Sequence, residues 1–170
     1  MKRYIFRIFL CLIAFAILVN SCGDGTDQEQ TPVFKTTLIL RNSGGQETTT
    51  FTNGEQITFV LTIQNLTGSP RTITLPSSQQ YDFLVLDANN TLLWRWSEQK
   101  VFQPLTTYID FAPSETKTFQ EPWNQVGNNG ANVGQGNFKA QGFIATSSEL
   151  SASSLTTSET RSVLISFVIQ

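Results

Sequence analysis

The sequence predicts an all-β chain, an immunoglobulin-like antiparallel β-sandwich of about seven to nine strands, and three observations carry that prediction. Apolar and polar residues alternate at period two through much of the chain. Turn residues recur at intervals of roughly 8 to 12 residues, which is the spacing of short strands joined by tight connections. The composition is 14% charged and rich in Thr, Ser, Gln, Asn and Phe, whereas coiled coils and long helical bundles draw on Ala, Glu, Lys and Leu.

The strands follow in order. Residues 37–41 open the pattern. In residues 57–63, Ile57, Phe59, Leu61 and Ile63 alternate with Thr58, Val60 and Thr62, between Asn53-Gly54 and Asn65-Leu66-Thr67-Gly68. Residues 71–75, 83–87, 92–96, 106–111 and 116–123 come next. They are separated by Ser69-Pro70, Pro76-Ser77-Ser78, Ala88-Asn89-Asn90 and Ala112-Pro113-Ser114. After a Gly-rich stretch at residues 127–136, Phe138, Ala140, Gly142 and Ile144 form one face of a further strand. Val163, Ile165, Phe167 and Ile169 form one face of the last. Two sheets can bury such inward faces against each other. Residues 146–160 are Ser/Thr-rich and read as a long loop. No internal repeat is visible.

The N-terminus differs in kind. Lys2, Arg3 and Arg7 precede an unbroken apolar run over residues 8–19, and Ser21 stands directly before Cys22. This is the layout of an export signal. Twelve apolar residues are too few to cross about 30 Å of hydrocarbon as a helix. Leu18-Val19-Asn20-Ser21-Cys22 resembles the bacterial lipobox. That resemblance implies a signal peptide over residues 1–21 and a mature N-terminus at Cys22. The acyl chains there would each contribute about 0.8 kcal/mol of membrane affinity per buried CH₂. Residues 22–32 hold no large apolar residue after Cys22 and read as a flexible tether, with the sandwich spanning residues 33–170. The expected location is the cell envelope, lipid-anchored to a membrane.

Cys11 lies within the apolar run, so the mature chain keeps one cysteine, and neither an internal disulfide nor a disulfide-linked oligomer is expected. Removal of residues 1–21 takes away three basic residues and no acid, leaving 8 basic against 13 acidic and a net charge of −5. With no basic patch interleaved with aromatics, nucleic acid is not an expected partner. The chain has no His, so Ser-His-Asp and Cys-His catalytic designs are excluded. Neither a carboxylate pair with glycosidase spacing nor a calcium-loop pattern is identifiable. No enzyme activity, cofactor or metal is expected.

The middle of the chain carries the distinctive residues. Phe51-Thr52-Asn53-Gly54-Glu55 leads into the 57–63 strand, which ends at Asn65. Then come Ser78-Gln79-Gln80-Tyr81-Asp82-Phe83, Val85 and Asp87, Leu93-Trp94-Arg95-Trp96-Ser97, Phe102, Ala112-Pro113-Ser114-Glu115 and Gly136-Asn137-Phe138. In this order the set resembles the BsuPI-type intracellular proteinase inhibitor domain over about residues 51–144. The resemblance implies an immunoglobulin-like sandwich and a proteinase inhibitor, with a serine, subtilisin-like protease as partner. The family pattern has Gly where this chain has Ser114, and Gly-x-Tyr where it has Gly136-Asn137-Phe138. The export signal departs from the intracellular setting of the family.

An inhibitor fills a protease cleft with a rigid surface in which aromatic or Arg anchors carry the energy. Trp94, Arg95 and Trp96, with Tyr81 and Asp82, are the candidate contacts. On a strand the two Trp side chains share a face and Arg95 opposes them. The same residues also read as core: both Trp rings plugging the sandwich with Tyr81, Phe83 and Phe102, Arg95 pairing with Asp82 or Asp87, and Asp82 satisfying backbone amides. Residues 125–135, including Asn128 and Asn129, are a candidate contact loop or a solvated connection. The competing expectation is a non-catalytic adhesion or scaffold module that binds a polymer or an envelope protein.

Overall fold

The computed structural model describes residues 31–151 and 155–170, so the expected signal peptide, the expected lipidation site Cys22 and nearly all of the expected tether lie outside the described residues. Ten strands are described: β1 (Phe34–Arg41), β2 (Thr50–Phe51), β3 (Ile57–Asn65), β4 (Arg71–Leu75), β5 (Tyr81–Asp87), β6 (Leu92–Arg95), β7 (Thr107–Phe111), β8 (Thr116–Trp123), β9 (Gly136–Ile144) and β10 (Ile165–Ile169). A 3-10 turn, Trp96–Gln99, follows β6, and a one-turn helix, α1 (Ser147–Ser151), follows β9.

The strands form a three-stranded sheet in the order β1-β3-β8, a five-stranded sheet in the order β2-β10-β9-β5-β6, and a β4-β7 pair. Every pairing is antiparallel except that of β2 with β10. The period-two pattern of β3 explains its place: Ile57, Phe59, Leu61 and Ile63 are fully buried. They share one cluster with Phe83 and Val85 of β5, Phe138, Ala140 and Ile144 of β9, and Phe167 and Ile169 of β10. At about 25 cal/mol per Å² of apolar area, these two facing layers supply the main favourable term in a domain whose sequence offers no disulfide. The sheets are in tight contact at Gly142, where a Cβ would lie 2.8 Å from Leu61 Cδ1 of the facing sheet and 3.2 Å from the Phe83 ring of its own. The β4-β7 pair adds Ile73, Leu75, Ile109 and Phe111 to the cluster, with Phe34 against Phe111 at 5.2 Å.

This is the predicted immunoglobulin-like sandwich, with local differences. β2 was not anticipated, because two residues are too few to display a period; Phe51 is buried against Phe167. β1 begins three residues before the predicted start, at Phe34. Within the expected loop at residues 146–160 stands α1. Its start signal is the spacing Thr146-x-x-Glu149, with the Glu149 amide donating to Thr146 Oγ1 at 3.3 Å. Val163 was expected on the core face of the last strand but is 55% exposed. Ser162 is drawn onto β9, its amide donating to the Gly142 carbonyl at 2.9 Å, and regular pairing begins only at Ile165.

Glu149, Arg161 and Ser162 are pinned to the outer face of β9 by a buried polar network. Arg161 Nε donates to Glu149 Oε2 at 2.6 Å, Arg161 Nη1 to Gln141 Oε1 at 3.0 Å, and Gln141 Nε2 to the Ser162 carbonyl at 2.9 Å. The Arg161 guanidinium lies 4.0 Å from the Phe143 ring centroid. Burial pushes the Glu149 carboxyl upward. Hydrogen bonds from Ser158, Arg161 and Thr160, with the Arg161 charge, outweigh that and hold it below the ordinary carboxylate range.

Candidate functional site

Arg95 of β6 pairs with Leu84 of β5, and its side chain reaches diagonally to Asp82 on the same, outer side of the five-stranded sheet. The Asp82 side chain is completely buried, and Arg95 Nε donates to its Oδ2 at 2.6 Å. The Ser97 hydroxyl donates to the same oxygen at 2.6 Å, while the Ser97 and Phe83 amides donate to Oδ1 at 3.1 and 2.9 Å. A buried carboxylate without such partners would be costly; here it fixes the exit of β6 into the 3-10 turn. Asp87, the other partner considered for Arg95, accepts the Asn89 and Thr91 amides at 2.8 Å and shapes the β5-β6 turn.

On the inner side, Trp94 and Trp96 are half-buried against the core. Trp94 packs on Phe59 at 5.5 Å and on Trp123 at 5.7 Å. Trp96 stacks on Tyr81 at 4.6 Å and meets Phe102 at 5.9 Å. Its indole N–H is buried and has no partner among the described residues. The Tyr81 hydroxyl donates to Glu121 Oε1 at 2.5 Å, and burial, that bond and the Glu121 charge all push its pKa well above the usual phenol value.

Residues 125–135 close against β6. Gln125 is buried at φ 58°. Its Nε2 donates to the Thr52 and Glu55 carbonyls at 2.9 Å, and its Oε1 accepts the Gly54 amide at 2.7 Å. Asn128 behaves like a further strand residue on the β6 edge. Its Oδ1 accepts the Arg95 amide at 2.5 Å, its Nδ2 donates to the Arg95 carbonyl at 3.1 Å, and its own amide donates to the Leu93 carbonyl at 3.0 Å. Asn129 is exposed and accepts only the Ala131 amide, at 3.0 Å. Between this loop and Leu92, Leu93 and Phe138 runs an open cleft of about 610 Å³.

The structure thus brings Tyr81, Asp82, Trp94, Arg95, Trp96 and Asn128 together at one end of the sandwich and leaves Asn129 at the loop tip; Cys22 lies outside the described residues. Ser97, Glu121 and Gln125, which hold these residues in place, were not singled out from sequence. Ser97 stood in the Trp-Arg-Trp-Ser segment, but its partner is fifteen residues away and on another strand. Among the described residues no group of His, Cys, Asp or Glu could hold a metal ion.

The sequence profile described as BsuPI, intracellular proteinase inhibitor, matches residues 38–149. The chain belongs to the BsuPI family. That match runs from within β1 into α1, with β10 beyond it, and makes the chain a proteinase-inhibitor-like protein. No curated protein matches it. Among solved structures, the C-terminal domain of wzt superposes with a TM-score of 0.50 at 12% identity, over 82% of this chain and 75% of that one. A CARDB domain from Pyrococcus furiosus superposes with a TM-score of 0.40 at 14% identity, over 82% of this chain and 96% of that one. These likenesses concern the fold alone. In this BsuPI chain Ser114, which stands where the family pattern has Gly, takes φ 59°, the left-handed conformation that glycine adopts without strain.

Proposed function

We propose that this BsuPI chain is a lipid-tethered proteinase inhibitor of the cell envelope, acting by binding a serine, subtilisin-like protease and not by chemistry of its own. The observation that carries the reading is the pre-organised end of the sandwich. Asp82 and Asn128 hold Arg95, and Gln125 holds the 125–135 loop, through contacts made within the chain itself. Surfaces ordered before binding lose little conformational entropy when they dock, which is how inhibitors of ordinary interface size reach high affinity. The family match supports a protease as partner, and the lipobox-like residues before Cys22 support anchoring at a membrane.

The test is residual activity of a panel of serine proteases titrated with the full chain in detergent, with the intact mass of the chain recorded afterwards. A break at a stoichiometric ratio with the chain uncut supports the proposal; undiminished activity across the panel contradicts it. The cleft beside Leu92 and Leu93, lined by Asn128, Asn129, Asn132 and Gln135, favours a second reading as a polymer-binding envelope module. That reading predicts Trp fluorescence changes with envelope glycans and indifference to proteases.

A further inference from the structure

Between Trp96 and β7 the chain leaves the sandwich and returns, and both feet of the excursion are tied down. On the near side the Lys100 amide donates to the Ser97 carbonyl at 3.0 Å, and Ser97 is itself bonded to buried Asp82. On the far side the Ser78 amide donates to the Gln103 carbonyl at 3.0 Å, and the Gln103 amide to Ser78 Oγ at 2.9 Å. The Thr107 hydroxyl adds a bond to the Ser77 carbonyl at 2.6 Å.

Between those feet Lys100 is extended, at φ −115° and ψ 153°, and no turn or bend follows through residues 101–104. The side chains on either side of Val101 turn back to the body. The Lys100 ammonium sits 4.4 Å over the Trp96 ring, and Phe102 packs on the same ring. Val101 itself is 100% exposed. Its amide and carbonyl, and those of Phe102, have no partner among the described residues. A singly exposed aliphatic residue is ordinary. A segment with free backbone groups, one outward aliphatic side chain and both neighbours held on the half-buried Trp96 ring is prepared for addition to another protein's edge.

We infer that residues 100–102 are the segment that enters the protease cleft, with the Val101 side chain in the primary specificity pocket of an enzyme selecting small branched aliphatic residues. The inference rests on the inhibitor reading above and deepens it by naming the contact and the kind of side chain that the target's specificity pocket takes. Trypsin-type pockets demand a cation and chymotrypsin-type pockets a large ring, whereas an elastase-type pocket takes a small aliphatic side chain. The bracing also accounts for resistance to cutting. Attack of the protease serine on the Val101 carbonyl would break the Val101–Phe102 bond and release the Phe102 amine, protonated by the protease's general acid. With Phe102 held on Trp96 and Gln103 held on Ser78, that amine stays beside the acyl-enzyme, re-forms the peptide bond and frees the serine.

The experiment compares the full chain with its Val101→Lys and Val101→Asp variants against elastase-type, chymotrypsin-type, trypsin-type and subtilisin-type proteases, measuring inhibition constants. Urea midpoints confirm that substitution at this exposed position leaves folding intact. The expected result is strongest inhibition of an enzyme with a small aliphatic pocket. Val101→Asp then weakens it by roughly 30-fold or more, the loss of an interface hot spot, and Val101→Lys shifts inhibition toward the trypsin-type enzyme. Inhibition that is unchanged in both variants overturns this inference and leaves the inhibitor reading standing. Absence of inhibition by the unsubstituted chain overturns both.

Discussion

Asn128 pairs with both backbone groups of Arg95, accepting its amide at 2.5 Å and donating to its carbonyl at 3.1 Å. A side-chain amide thereby completes the exposed edge of β6 and joins the 125–135 loop to the residue that neutralises buried Asp82. Asn128→Ala removes both bonds, and at about 1 kcal/mol net per hydrogen bond the expected loss is about 1–3 kcal/mol of stability, read from the urea midpoint. Asn128→Asp keeps the acceptor and loses the donor, so it falls between Asn128→Ala and the unsubstituted chain.

Asp82→Ala leaves Arg95 and Ser97 without their buried acceptor. Breaking a buried ion pair from one side costs about 3–5 kcal/mol, and because Arg95 is 29% exposed the expected loss is nearer the low end. A double-mutant cycle with Arg95→Met tests the coupling: the double variant is expected to be more stable than the sum of the two single losses predicts.

The family pattern has glycine where this chain holds Ser114 at φ 59°. A side chain costs about 1–2 kcal/mol in this conformation and the greater freedom of the unfolded glycine takes back about 0.5–1 kcal/mol, so Ser114→Gly is expected to stabilise by about 0.5–1 kcal/mol. The neighbouring bond from the Ala112 amide to Glu115 Oε2, at 2.6 Å, should persist. A lower melting temperature in Ser114→Gly would contradict the strain.

At Gly142 the reverse holds. Ala there would place its methyl 2.8 Å from Leu61 Cδ1 between the two sheets. Overpacking of this kind costs about 1–3 kcal/mol, measurable by thermal or urea unfolding.

The stability profile with pH follows from three carboxyls held below their ordinary range: Glu55 by the Thr52 and Ser43 amides, Glu115 by the Ala112 amide and Lys117, and Glu149 by the network around Arg161. Lowered pKa values in the folded chain mean stability that is present above the unfolded carboxyl value of about 4.3 and lost as pH falls through the folded values. Tyr81 works in the opposite direction. Its raised value means a contribution that is present below the unfolded phenol value of about 10 and lost as pH rises beyond it. Urea midpoints across pH should form a plateau falling at both ends. Tyr81→Phe should flatten the alkaline limb, and Glu149→Gln should flatten the acid one.

The sandwich was legible in the sequence because β3, β9 and β10 each carry an apolar period-two face, and a buried face on one side of a strand is written in that period. β2 escaped because its two residues show no period, and α1 because its Thr146-x-x-Glu149 signal lay inside a Ser/Thr-rich stretch that read as loop. At the candidate site, the aromatic and charged residues could be named from sequence but their partners could not. Asp82 finds Ser97, Tyr81 finds Glu121 and Gln125 finds Thr52 and Glu55, all through strand pairing and sheet packing that bring distant positions together. Val101 carried no signal at all, since an aliphatic residue in a connecting segment reads the same whether it is buried or presented.

On the proposed function, the end of the sandwich built on Asp82, Arg95 and Asn128 is the surface that meets the protease. This is tested most directly by amide hydrogen exchange of the full chain, alone and saturated with the protease it inhibits most strongly. The expected result is new protection confined to residues 92–103 and 127–133, with the amides of Val101 and Phe102 slowed most. Protection falling instead on the β4-β7 pair or on the 146–162 segment, with residues 92–103 exchanging as fast as in the free chain, would contradict it.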